Sequence, residues 1–430
     1  MNQIDGGAGD PGPRAAPRRT SEEMSLIAVL AVCAALVFLN RGGIAYLFPA
    51  IKPQLHLNNT QLGQLMSATA LAWAVSSVVS SLASDAFAIR PRTLIVICAL
   101  GFSLVGALAG AVSSFAGLLV LRAAMGIFEG PVIPLIQATV TAASPTQRRG
   151  ANLGLIIGGS GLVGGALAPA LMTGLASTLG WRFAFLAIAI PGPFVALGVW
   201  LVTRGPAGAV AIVERVNLRL ALRFAARRNV LLGAVGAVTL IGSSVASASF
   251  VPLYLASLPA FTAGNRVLFL IATAIVSSVG AIGVPALSDR FGRKVCLVAA
   301  CLCGALAPVA VATVSVSTAW VIPAVVLHFA TAGALTLMVY VIPGETVPPQ
   351  IAASTFAVLL FVGEIAGGAT APALAGWFAD QHGLVATQWV CCGYGAVALL
   401  AALFVRDPAR AGTVGENQAQ TLDTWPERAI

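Results

Sequence analysis

The chain has 430 residues, 58% hydrophobic and only 9% charged, with a mean hydropathy of +0.93. Soluble domains carry about 25% charge, so the composition argues against a soluble enzyme, a nucleic-acid binder or a disordered chain. The net charge of +9, from 24 Lys+Arg against 15 Asp+Glu, must therefore be placed relative to a bilayer before it says anything about partners.

A spanning helix needs about 20 apolar residues. Residues 1–24, with Arg18, Arg19, Glu22 and Glu23, form a polar tail without the apolar core and cleavage site of a removable signal peptide. Twelve apolar segments follow, near 25–48, 60–83, 93–112, 115–141, 150–178, 182–202, 229–257, 266–287, 294–314, 319–343, 352–379 and 386–405. The second and fifth are rich in Gly, Ala and Ser, which suits close helix approach in lipid. The fold expected is an all-α integral membrane protein of two six-helix halves, 25–202 and 229–405, joined by a basic linker at 203–228 and ending in a tail at 406–430.

Outside the segments, Lys+Arg fall almost entirely on one side. Only Lys52, Arg182 and Arg266 lie on the other, so both termini are expected in the cytoplasm. The 22 Arg against 2 Lys fit a GC-rich bacterial genome, and hence an inner (plasma) membrane. In the linker, Arg215, Arg219, Arg223 and Arg227 recur every four residues beside Val213, Val216, Leu220 and Phe224. That spacing suits a helix lying on an anionic membrane surface. The seven cysteines lie within apolar segments and show neither metal spacing nor a disulfide framework. No metal or cofactor is expected, and no phosphate-cradling G-x-x-x-x-G-K-[ST] loop occurs.

The halves repeat. GGALAPAL at 164–171 matches GGATAPAL at 367–374, and Asp85 after the second segment corresponds to Asp289 after the eighth, both at nearly one offset. Four ionisable residues lie inside segments: Arg41, Arg122, Glu129 and Glu364. Each costs about 2.5–3.5 kcal/mol at the centre of an isolated helix, so together they cost on the order of 10 kcal/mol before pairing, which makes function their default explanation. Arg41, mid-segment between Asn40 and Gly42-Gly43, is the leading anion anchor, because a guanidinium offers a planar donor fork to a carboxylate. Arg122 and Glu129 share a helix face roughly 10 Å apart along the axis; Arg122, near the expected helix start, reads as structural. Glu129 is the leading proton carrier and Glu364 the second. Tyr46, Trp73, Gln137 and Tyr254 join Asn40 as candidate substrate contacts, with Gln64 and His328 as further polar groups in the segments.

The loop Gly283–Lys294, with Asp289-Arg290 and Gly292-Arg293, resembles the signature of the major facilitator superfamily. In that family the acid and basic groups form a conformational lock between helices, here Asp289, Arg290 and Arg293, with Asp85 as a degraded first-half copy. A narrower resemblance is to the anion:cation symporter branch. It rests on Asn40-Arg41-Gly42-Gly43, on Gln61–Ser67, on Arg122 with Gly126, Glu129-Gly130-Pro131 and Pro134, and on Gly180-Trp181-Arg182. That branch usually has Asp where this chain has Asn40, which cannot titrate. The resemblance implies a monomeric secondary transporter, not an enzyme, that takes up a small organic anion with protons by alternating access. Proton-driven drug efflux and phosphorylated-sugar/phosphate antiport remain open as alternatives.

Overall fold

The computed structural model describes residues 21–87, 89–204 and 224–407. These residues are entirely helical apart from connections, and twelve helices are long and apolar enough to cross a membrane. We number them α1 Ser21–Gln54, α2 Asn59–Phe87, α3 Pro91–Ala109, α4 Phe115–Ala143, α5 Arg148–Leu179, α6 Trp181–Val202, α7 Arg228–Ala256, α8 Ala263–Phe291, α9 Arg293–Thr313, α10 Thr318–Thr346, α11 Ile351–His382 and α12 Ala386–Phe404. All twelve expected segments are present. The linker arginines Arg215, Arg219 and Arg223 lie outside the described residues, as do residues 1–20 and 408–430; α1 begins at Ser21, so Glu22 and Glu23 of the expected tail are helical, and of Asp85 only the helical backbone is described.

Local signals explain where helices begin. Ser114 Oγ accepts the Gly117 amide at 3.2 Å and Thr262 Oγ1 accepts the Asn265 amide at 3.2 Å, so each caps a helix that starts at a loop. Pro91 begins α3 at a position where no amide hydrogen bond is lost. The turns entering α6 and α12 use Gly180 at φ +83° and Gly383 at φ +82°, a left-handed conformation that favours glycine. These glycines stand 203 positions apart, the offset of the sequence repeat. The repeat is also visible in two irregular turns: α5 widens to a π-helix at Val163–Leu167 and α11 at Glu364–Gly368.

The packing is asymmetric along the membrane normal. The basic end carries most Arg, and the distal end carries the α1–α2 turn and the α11–α12 turn. The distal hydrophobic core runs through both halves, joining Leu47, Phe48, Ile51, Leu62 and Phe185 to Phe250, Leu253, Ala371 and Ala375. Each of the other four buried clusters stays within one half. At the distal end α2 and α11 nearly touch. A Cβ on Gly63 would strike the Pro372 carbonyl, and one on Gly376 the Asn59 carbonyl. Towards the basic end of α5, Gly150, Gly154, Gly158 and Gly161 are exposed and have nothing within 4 Å of where a Cβ would stand. The halves therefore meet at the distal end and part towards the basic end.

Candidate functional site

Three helices bring the intramembrane charges to one depth. Arg41 sits mid-way along α1, Glu129 mid-way along α4 and Glu364 near the middle of α11, where the π turn begins. Arg41 Nη2 donates to Glu364 Oε2 at 2.8 Å, an ion pair between the two halves with 16% and 12% of the side chains exposed. The Arg41 guanidinium also lies over the Trp73 ring of α2, 4.8 Å from its centroid. A cation on an indole face is stabilised by about 0.5–2 kcal/mol, more as water is excluded. Sequence reasoning singles out all three residues but not their juxtaposition, since Arg41 and Glu364 stand 323 positions apart.

Behind this pair lies a second, fully buried group. Glu129 is 0% exposed, and neither carboxyl oxygen has a hydrogen-bond partner. It is within Coulombic reach of both Arg41 and Arg122. Arg122 lies two turns into α4, which starts at Phe115 as the expected segment does. It is 1% exposed, donates from Nη1 to the Asn40 carbonyl at 3.3 Å, leaves Nη2 unbonded, and lies 5.6 Å from the Phe185 ring centroid. Close approach of α2 makes this arrangement possible: a Cβ on Gly126 would sit 2.9 Å from the Trp73 amide nitrogen.

The other candidate contacts divide. Tyr46 is half-buried and reaches the Gly164 carbonyl at 3.4 Å, which ties α1 to the π turn of α5. Gln137 is exposed two turns beyond Glu129 towards the basic end, and Gln64 is exposed on α2. Asn40 turns away from Arg41. It is buried against Gly106 of α3, donates to the Leu36 carbonyl at 2.9 Å, and leaves Oδ1 unbonded. Tyr254 lies in a distal cluster of the second half, its hydroxyl donating to the Ala312 carbonyl at 2.8 Å. A buried phenol needs such an acceptor, and finding it on α9 places Tyr254 apart from Arg41. His328 bonds to the Ala324 carbonyl at 2.6 Å within α10.

At the basic end Arg293 links three helices of the second half. It pairs with Asp289 at 2.5 Å and Glu345 at 2.8 Å and donates to Ser288 Oγ at 2.7 Å; Arg290 is exposed beside it. Among the described residues no group of three or more His, Cys, Asp or Glu could hold a metal.

A sequence profile of the Major Facilitator Superfamily matches residues 30–370. Among curated proteins the chain is similar to a probable sulfoacetate transporter of Cupriavidus necator, 26% identical over 40% of this chain and 39% of that protein. It is similar to a probable L-galactonate transporter of Escherichia coli, 26% identical over 41% and 38%, and to a hexuronate transporter of Bacillus subtilis, 27% identical over 40% and 40%. The chain thus matches about two fifths of the length of these relatives. In fold it resembles a bacterial homologue of the human lysosomal transporter Spinster, with a TM-score of 0.73 and 20% identity over 90% of this chain and 98% of that one. It also resembles the nucleoside transporter NupG, with a TM-score of 0.71 and 14% identity over 88% and 97%.

Proposed function

Given that the chain belongs to the Major Facilitator Superfamily, we propose that it is a secondary transporter taking up a small organic anion, a carboxylate such as a sugar acid, together with protons. The names of the matched relatives, carriers of sulfoacetate, galactonate and hexuronate, support the substrate class. Arg41 anchors the anion. It is a cation between the halves, partly exposed, with Trp73 as a flat wall. The protein sits in the inner membrane with the basic end and both termini in the cytoplasm, and it works as a monomer.

The observation that carries the proton is the charge count at mid-depth. Among the described residues there, two guanidinium groups, Arg41 and Arg122, face two carboxyl groups, Glu129 and Glu364. The empty site is therefore balanced with all four ionised. A monovalent anion leaves one uncompensated negative charge in a region where that is costly, and one proton restores neutrality. Glu129 is the group we assign to it: a buried carboxylate without hydrogen-bond partners carries its full desolvation cost, and a proton removes that cost. The two halves then rock about the seam, and anion and proton leave together at the other face.

Uptake of labelled carboxylates into proteoliposomes, with and without an imposed proton gradient, tests the reading. Arg41→Ala is expected to abolish uptake. Saturable transport of a neutral or cationic compound that survives Arg41→Ala would overturn it.

A further inference from the structure

The ion pair between Arg41 and Glu364 occupies the guanidinium that the proposed anion site needs. We propose that Glu364 is a built-in competitor, an internal carboxylate that fills the anion site when it is empty and that the incoming anion must displace. This rests on the reading of Arg41 as the anion anchor.

The pair is built to be exchanged. It is made through one nitrogen and one oxygen at 2.8 Å, whereas a free carboxylate can engage the guanidinium fork with both oxygens, a stronger and more selective arrangement. Both side chains keep some exposure, 16% and 12%, so a ligand in the opening between the halves can reach them. Glu364 is also held from behind. It begins the π turn of α11, and Gly368 lies so close that a Cβ there would stand 2.7 Å from Glu364 Oε2. Glycine at 368 leaves the carboxylate the space it uses when paired.

Two consequences follow from the placement. Small uncharged molecules do not displace Glu364, so the pair selects for anions able to outcompete a carboxylate. Arg41 is on α1 and Glu364 on α11, so displacement also cuts a link between the halves at mid-depth. When the anion leaves, the pair re-forms, so the empty carrier returns without a buried unpaired guanidinium at Arg41.

The test is calorimetric titration of D-galacturonate into the purified full chain in lipid nanodiscs, at one fixed pH. A competitor present about nine tenths of the time weakens apparent affinity by about tenfold. Glu364→Gln and Glu364→Ala are therefore each expected to lower the Kd about tenfold, or to reveal binding too weak to see in the parent. Gly368→Ala, which keeps the charge but crowds it, is expected to lower the Kd by a smaller factor. Arg41→Ala is expected to lose binding in every background. Unchanged or weaker binding in both Glu364 variants, still sensitive to Arg41→Ala, overturns the competitor and leaves Arg41 as the anchor. Binding indifferent to Arg41→Ala, or absent from every variant, counts against the anchor and the competitor together.

Discussion

Thr60 gives both its backbone amide and its hydroxyl to the same oxygen of Asp380, at 2.8 and 2.6 Å. The Asn59 amide takes the other oxygen at 2.9 Å, and Lys52 Nζ donates to Asn59 Oδ1 at 2.7 Å. A carboxylate from α11 thus caps the first turn of α2, satisfying amides that have no helical partner and meeting the positive end of the helix dipole. It does so across the seam between the halves, beside the near-contact of Gly376 with the Asn59 carbonyl. Losing a cap of this kind costs about 1 kcal/mol. Asp380→Ala is therefore expected to shift the balance between distally closed and distally open states by on the order of fivefold. Spin labels at the exposed positions Ser177 and Gln381 should report a longer-distance population in this variant. An unchanged distance distribution would show that the clasp does not hold the seam.

Trp73 supports Arg41 through its ring rather than through a hydrogen bond: its Nε1 is buried and unbonded. Trp73→Phe keeps a π face and is expected to leave the apparent affinity for the transported anion within a few-fold. Trp73→Ala removes about 0.5–2 kcal/mol of cation–π stabilisation and is expected to raise KM by roughly 2- to 30-fold with a smaller effect on kcat. A concentration series of uptake rates separates the two.

Glu129→Gln keeps the shape of the side chain and removes its charge and its titration. If Glu129 carries the proton, this variant no longer accumulates anion against a gradient when the outside is acidified. It should still exchange labelled for unlabelled anion across the membrane. Accumulation driven by a pH gradient at the parent rate would remove Glu129 from the coupling.

Gly126 of α4 sits against the backbone of α2, 2.9 Å from the Trp73 amide nitrogen to the position a Cβ would take, and in contact with the Thr69 carbonyl. Backbone cannot yield as a side-chain tip can. Gly126→Val is expected to cost about 1–3 kcal/mol through overpacking, seen as a lower Tm in detergent and as reduced anion binding, because the wall carrying Trp73 moves with α2.

The fold was readable because lipid imposes a simple rule: apolar runs of spanning length, with Arg sorted to one side. The repeat in GGALAPAL and GGATAPAL was readable too, and the matching glycine turns at Gly180 and Gly383 share its offset. The site was only half legible. Arg41, Glu129, Glu364 and Trp73 stand out as polar groups in apolar helices, but which charges meet depends on helix rotation and on contacts between the halves, which no local pattern encodes. Asp380 escaped notice because an acid near a helix end reads as an ordinary solvated residue; its partners are amides on α2, and amides leave no trace in sequence. Asn40 and Tyr254 stand out as polar groups in apolar segments, yet the Leu36 and Ala312 carbonyls accept from them and hold them inside the bundle. The π turns at Val163–Leu167 and Glu364–Gly368 depend on one extra residue per turn, for which no residue type is diagnostic.

Under the proposed alternating access, the exposed row of Gly150, Gly154, Gly158 and Gly161 on α5 is the surface that a closing basic end would use. Gly63 and Gly376 form a closed zipper at the distal end, backbone against backbone; the α5 row is the same kind of zipper standing open. A helix presenting bare backbone can receive another without any side chain leaving its rotamer. If the halves rock as proposed, closing one zipper while opening the other exchanges like contacts for like, and the two states would differ little in packing energy.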